Sequence, residues 1–212
     1  RGYPRLTVPA LEALERLQVG NRRFIEDRQA HREITLRDQL DASAMAQTPF
    51  AIIVGCSDSR VPAEIVFDQG IGDLFVIRVA GNIVAPSQIG SVEFAAEQFG
   101  TQLVVVLGHT SCGAISATLE QLRRPTEQRS PNLHSIVDRI RPAVEDLIGG
   151  DLEGDADAML RAGVRANVRT SVAELRHGSQ MLEDLIAADR LHVVGAEYSL
   201  TTGLVEFFDG IG

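Results

Sequence analysis

Two cysteines, a histidine, an aspartate and an arginine are the residues of this chain best suited to chemistry. They stand in two short segments, Gly55-Cys56-Ser57-Asp58-Ser59-Arg60 and Gly108-His109-Thr110-Ser111-Cys112-Gly113, with His109 53 positions after Cys56. Thiolates and imidazole together suit Zn²⁺ in tetrahedral geometry, and His-x-x-Cys at the turn into a helix brings two such donors within reach of one ion. Cys56, His109 and Cys112 thus form a candidate Cys₂His ligand set. Three protein ligands leave a fourth position, either open to water or capped by the Asp58 carboxylate. The same residues admit other readings: inert buried thiols, one disulfide, a purely structural zinc site, or an Asp58 and Arg60 ion pair that only holds a turn. Structural zinc sites are usually built from four closely paired Cys and His residues, whereas Cys56 stands alone.

Something must hold these segments together, and the flanking sequence supplies it. Each follows a short apolar run, residues 50–54 and 103–107, and similar runs recur at 74–79 and 191–194. Continuous apolar runs separated by helical segments are the pattern of a parallel sheet buried on both faces. Residues 91–99 and 114–122 read as crossover helices, 133–148 and 156–176 as longer ones split by Gly149-Gly150-Asp151, and 204–208 as an edge strand after the Thr201-Thr202-Gly203 turn. The fold class is therefore α/β, with a mainly parallel central sheet covered by helices. Ligands in such sheets gather at the carboxyl ends of strands, where both segments lie. If the extended backbone persists beyond residue 54, its two-residue period aims Cys56, Asp58 and Arg60 to one side. An amphipathic helix from Ala10 to Ile25 opens the chain; its apolar face could pack on its own core or on another subunit.

Composition narrows the partners. The 212 residues carry a formal charge of −9, which repels phosphate backbones and anionic membranes, so neither nucleic acid nor membrane is expected. No apolar run approaches the roughly 20 residues that span a bilayer. Two cysteines make no disulfide scaffold, and no linker divides residues 1–212, so one domain is expected. Arg161, Arg165 and Arg169, four residues apart, read as a solvated helix face, and His31, His134, His177 and His192 lack a chelating neighbour. The expected compartment is cytoplasmic, with a periplasm or organelle as alternatives since residue 1 is Arg rather than Met.

Cys-Ser-Asp-Ser-Arg at 56–60 and His-x-x-Cys-Gly at 109–113, with their spacing, resemble the β-class carbonic anhydrases. The likeness extends through Asp-Leu-Phe-Val-Ile-Arg-Val-Ala-Gly-Asn at 73–82 and Gly-Ser-Val-Glu-Phe at 90–94. It implies Cys56, His109 and Cys112 as Zn²⁺ ligands, Asp58 with Arg60 as catalytic pair, and Gln47, Phe75 and Gly113 as substrate-pocket residues. The implied reaction is reversible hydration of CO₂ to bicarbonate and a proton by attack of zinc-bound hydroxide, which makes the chain a zinc lyase. Asp58 would bind the metal only in a closed state. The resemblance also implies a homodimer or a dimer-of-dimers tetramer, with residues 1–48 an arm packing on the partner subunit. Arg78 and Tyr198 match two of three residues that hold inhibitory bicarbonate in some members, but the third, a Trp, is Ile53 here. An open site with Asp58 and Arg60 paired is therefore expected at alkaline pH. No histidine is placed as a proton shuttle. Hydrolysis of carbonyl sulfide or carbon disulfide on the same ligand set is the enzymatic rival, and a zinc protein without catalysis the rival from another class.

Overall fold

The apolar runs at 50–54 and 103–107 form the middle of a five-stranded sheet in a computed structural model that describes residues 7–28, 47–124, 130–152 and 154–211. Strands β1 (Ala51–Cys56), β2 (Leu74–Val79), β3 (Leu103–His109), β4 (His192–Tyr198) and β5 (Val205–Asp209) lie in the order β2-β1-β3-β4-β5. All neighbours are parallel except β4 and β5, which pair antiparallel across the 199–204 turn. Every residue of β1 and β3 is buried, which is why these strands read as unbroken apolar runs. Both outlast the apolar run by two residues, through Gly55 and Gly108, and so end on Cys56 and His109.

Helices cover both faces. On one lie α1 (Ala10–Ile25) and the single turn α2 (Ala63–Val66), packed over Ile53, Val105, Leu107 and Val194. Ala13, Leu14, Leu17 and Asn21, at helical spacing, form the buried stripe of α1. Asn21 fastens it: Nδ2 donates to the carbonyls of Val66 and Gly203, and Oδ1 accepts from the Val205 N–H, at 3.0, 2.8 and 2.8 Å. Residues 10–25 of the segment expected to pack on a partner are thus seated on the chain's own sheet, while residues 1–6 and 29–46 of it, His31 included, lie outside the described residues.

The other face carries α3 (Pro86–Phe99), α6 (Ala156–His177) and α7 (Gln180–Ala187) over Ile52, Val54, Val104, Val106 and Val193. The helix expected at 133–148 is α5 (Pro131–Val144) followed by a 3₁₀ turn, and α4 (Gly113–Arg123) begins one residue earlier than expected. Helix α6 lies directly on the strand backbones. A side-chain carbon added at Gly108 would stand 2.6 Å from Val168 Cγ2, and one at Gly195 2.9 Å from Val168 Cγ1, so only glycine admits this approach. Within the arginine series, Arg161 is exposed, but Arg165 and Arg169 are not simply solvated: both stack on Phe208, and Arg165 pairs with Glu197 at 2.7 Å and with Glu206. Among the described residues no helix is long and apolar enough to cross a membrane.

Candidate metal centre

The chemistry-bearing residues meet where β1 and β3 end. Cys56 closes β1, His109 closes β3, and Cys112 is the residue before the first turn of α4. Between the last two, Ser111 takes a positive φ of 56°, which folds the chain back and brings Cys112 beside His109. One donor atom from each of the three lies within 4.8 Å of the others, and all three residues are buried.

Their state fits a cation. His109 Nδ1 stands 2.9 Å from the Thr110 carbonyl, an acceptor only, so Nδ1 carries the hydrogen and Nε2 presents its lone pair. That Nε2 is buried without a hydrogen-bond partner, an unfavourable condition which a metal ion relieves. Burial opposes charge on His109, yet its contacts with Cys56, the Thr110 carbonyl and Asp58 raise its pKa. Cys56 is pulled well below the ordinary thiol range, first by the hydrogen bond from Cys112, and the same contact pushes Cys112 up. Two thiolates this close are unfavourable until a cation lies between them. These residues fit Zn²⁺.

Asp58 and Arg60 sit beside this group, positioned otherwise than strand alternation would have it. Extended pairing ends at Cys56; the Val61 N–H closes a turn on the Asp58 carbonyl at 3.1 Å, and that turn, not a two-residue period, presents both side chains. Arg60 Nε and Nη2 grip the two Asp58 carboxylate oxygens at 2.9 and 2.7 Å, and the Arg60 backbone N–H adds a bond of 3.0 Å. This grip holds the Asp58 carboxyl far below the usual carboxylate range. Asp58 Oδ2 stands 3.8 Å from His109 Nε2. The pair expected of the open arrangement is thus formed. Behind it Arg78 donates to the carbonyls of Cys56 and Asp58, so its guanidinium is engaged in holding the turn.

The pocket residues divide. Gly113 opens α4 next to Cys112, and a side chain there would meet nothing within 4 Å, so space lies in front of it. Gln47 is exposed. Phe75 is not brought to the metal group within the chain: it pairs with Ile52, four positions before Cys56, about 13 Å along the strand. There it packs with Phe94 and Phe99, ring centroids 6.2 and 6.0 Å away. Tyr198 pairs with His109 across β3 and β4 and is buried, which raises its pKa; Ile53 is buried inside the sheet.

Sequence reasoning did not single out Gly81. In the 3₁₀ turn Ala80–Asn82 it holds φ at +71°, and its N–H donates to Cys56 Sγ at 3.3 Å. A glycine two residues beyond the end of an apolar strand is the available signal.

A mainly parallel sheet covered on both faces, with a Cys₂His group fit to hold a metal at the ends of its central strands, defines the class of this molecule. The family model described as carbonic anhydrase matches residues 51–205. "Carbonic anhydrase 2" of Mycobacterium tuberculosis is 37% identical over 202 residues, covering 94% of this chain and 93% of that protein. Among solved structures, the β-carbonic anhydrase CcaA superposes with a TM-score of 0.73 at 26% identity, over 90% of this chain and 95% of that one. The Coccomyxa β-carbonic anhydrase, solved with acetazolamide, gives 0.71 at 26% identity over 92% and 86%. The chain belongs to the β-class carbonic anhydrase family.

Proposed function

We propose that this chain catalyses the reversible hydration of CO₂ to bicarbonate and a proton, with Zn²⁺ held by Cys56, His109 and Cys112. The observation that carries this is three buried donor atoms within 4.8 Å of one another beside a carboxylate locked by arginine. Zinc bound there supplies the Lewis acidity that makes water a nucleophile near neutral pH.

The chain's own residues supply the orientation. Asp58, kept ionised by Arg60, accepts hydrogen bonds and gives none, so it turns a proton-bearing reactant in one direction and disfavours one with no proton to offer. Arg60 fixes the carboxylate through its three bonds, so no rotamer search is needed at the moment of reaction. Apolar Ile83 and Ile115 pack with the cysteines, a surrounding compatible with a small neutral gas. The Arg60 side chain is 56% exposed and that of Asp58 17%, so the pair spans from the buried donors to solvent, the direction in which a proton must leave.

The same proposal includes self-association into a dimer or a pair of dimers. Phe94, about half exposed beside Phe75 on the side of edge strand β2, is the kind of surface a second copy covers. Phe75 serves a substrate pocket only if it is offered across such a boundary, since it is remote from its own Cys56, and exposed Gln47 is assigned to the same pocket. Sedimentation velocity tests the assembly. Stopped-flow CO₂ hydration, with zinc measured in every sample, tests the reaction. Zinc-loaded wild type is expected to be active and Asp58→Ala to lose about 10²-fold or more in kcat/KM with zinc retained. Inactive, fully loaded wild type would overturn the proposal; a fully active Asp58→Ala would overturn only the role given to Asp58.

A further inference from the structure

Two polar residues of α6 are almost wholly buried although they lie away from the metal group: Asn167 is 1% exposed and Ser171 3%. They stand four residues apart, hence on one face of the helix. Both reach the same short turn. Asn167 Nδ2 donates to the Gly81 carbonyl at 2.7 Å, and Ser171 Oγ donates to the Asn82 carbonyl at 2.9 Å. Gly81 and Asn82 both hold positive φ, +71° and +42°, the second without a glycine's freedom. On the other side of the turn, the Gly81 N–H meets Cys56 Sγ.

We infer that Asn167 and Ser171 are positioning residues for the Cys56 ligand, acting through the 80–82 turn. Each takes one carbonyl of the turn, so the two left-handed residues are held from behind while the Gly81 N–H faces the sulfur. Without these donors both carbonyls would be buried and unpaired, and the turn would gain by relaxing toward negative φ, which rotates the N–H away from Sγ. The glycine notch at Gly108 and Gly195 belongs to the same device, since it lets α6 lie close enough for Asn167 to reach. An N–H bond to a thiolate fixes the sulfur's place and draws charge from it, which tunes both how tightly a metal is held and how electrophilic it stays.

The inference rests on the reading that Cys56 is a metal ligand, and its test separates the two. Zinc affinity is measured by chelator competition, and the sulfur-to-metal charge-transfer band is recorded after cobalt substitution, for wild type, Asn167→Leu, Ser171→Ala, Ser171→Thr and Val172→Ala. Asn167→Leu and Ser171→Ala are expected to bind zinc about tenfold more weakly, in the range for outer partners of metal ligands, and to shift the band. Ser171→Thr, which keeps the hydroxyl, should behave as wild type. Val172→Ala, which thins the packing of the same helix without touching the turn, should lower Tm and leave affinity and band in place. If Asn167→Leu does not fold, the Ser171 pair decides. Unchanged affinity and spectrum in the donor-deleting variants, or an equal shift in Val172→Ala, overturns the inference. A wild type that takes up neither metal refutes the reading beneath it, whereas a loaded wild type with indifferent variants refutes the positioning role alone.

Discussion

Gly108→Ala tests whether helix α6 and the end of β3 are as rigidly fitted as their contacts imply. The new methyl would stand 2.6 Å from Val168 Cγ2, where an ordinary contact is 3.4 to 4 Å, so about an ångström must be found. Strand β3 cannot yield it, since it is buried throughout and paired with β1 and β4. Val168 cannot rotate away cheaply either, because valine in a helix has one strongly preferred rotamer. The helix must therefore move, and with it Asn167, whose 2.7 Å bond to Gly81 is then lost. Overpacking costs about 1–3 kcal/mol and the buried hydrogen bond about 1 more, giving a loss of about 2–4 kcal/mol. For a chain of this length that lowers Tm by about 5–15 °C. The assay is a double-mutant cycle with Val168→Ala, followed by urea unfolding. Val168→Ala alone should destabilise by leaving a void, yet in the Gly108→Ala background it should restore stability, because the removed methyls make the room. A Gly108→Ala protein within about 0.5 kcal/mol of wild type, the spread of a neutral substitution, would refute the reasoning, and so would additive behaviour of the two changes.

Asn21→Ala removes both donors and the acceptor that tie α1 to Val66, Gly203 and Val205 and is expected to cost about 2–4 kcal/mol in urea unfolding, since three buried backbone groups lose their partner. Removing zinc with a chelator should lower Tm, and adding zinc back should raise it in step with concentration, because an ion that binds only the folded chain stabilises it by mass action. Cys112→Ser should abolish most of that concentration dependence while leaving the α/β fold intact by circular dichroism, since the apolar packing on the two sheet faces is separate from that of Ile83 and Ile115 around the cysteines.

The parts of this molecule that were legible in the sequence are those where one physical cause dominates. Strands β1 and β3 are buried on both faces and so could only be written as apolar runs, and the Cys and His residues that follow them are brought into one group by that pairing. The strand ends were read two residues short, because Gly55 and Gly108 interrupt the apolar pattern while pairing in the ladder as well as any residue. Asp58 and Arg60 do pair with each other, but a turn takes the place of the extended backbone that would have aimed them to one side with Cys56. Asn167 and Ser171 had no signal: a polar residue inside a helix looks solvated until the opposing turn is known to offer carbonyls. Phe75 shows the reverse, an aromatic whose place depends on contacts beyond its own strand.

The seat of α1 also orders events in time. Its anchor, Asn21, bonds to residues 182 and 184 positions later in the chain, so this helix is held in part by a turn and a strand that leave the ribosome long after it. The Leu14 and Leu17 stripe shares its packing with Ile53, Phe67 and Val105, which are made early, whereas the Asn21 bonds to Gly203 and Val205 close a long loop and come late. On a nascent chain the last turn of α1 should therefore stay loosely held, by the Val66 carbonyl alone of Asn21's three partners, until the β4 and β5 hairpin has formed.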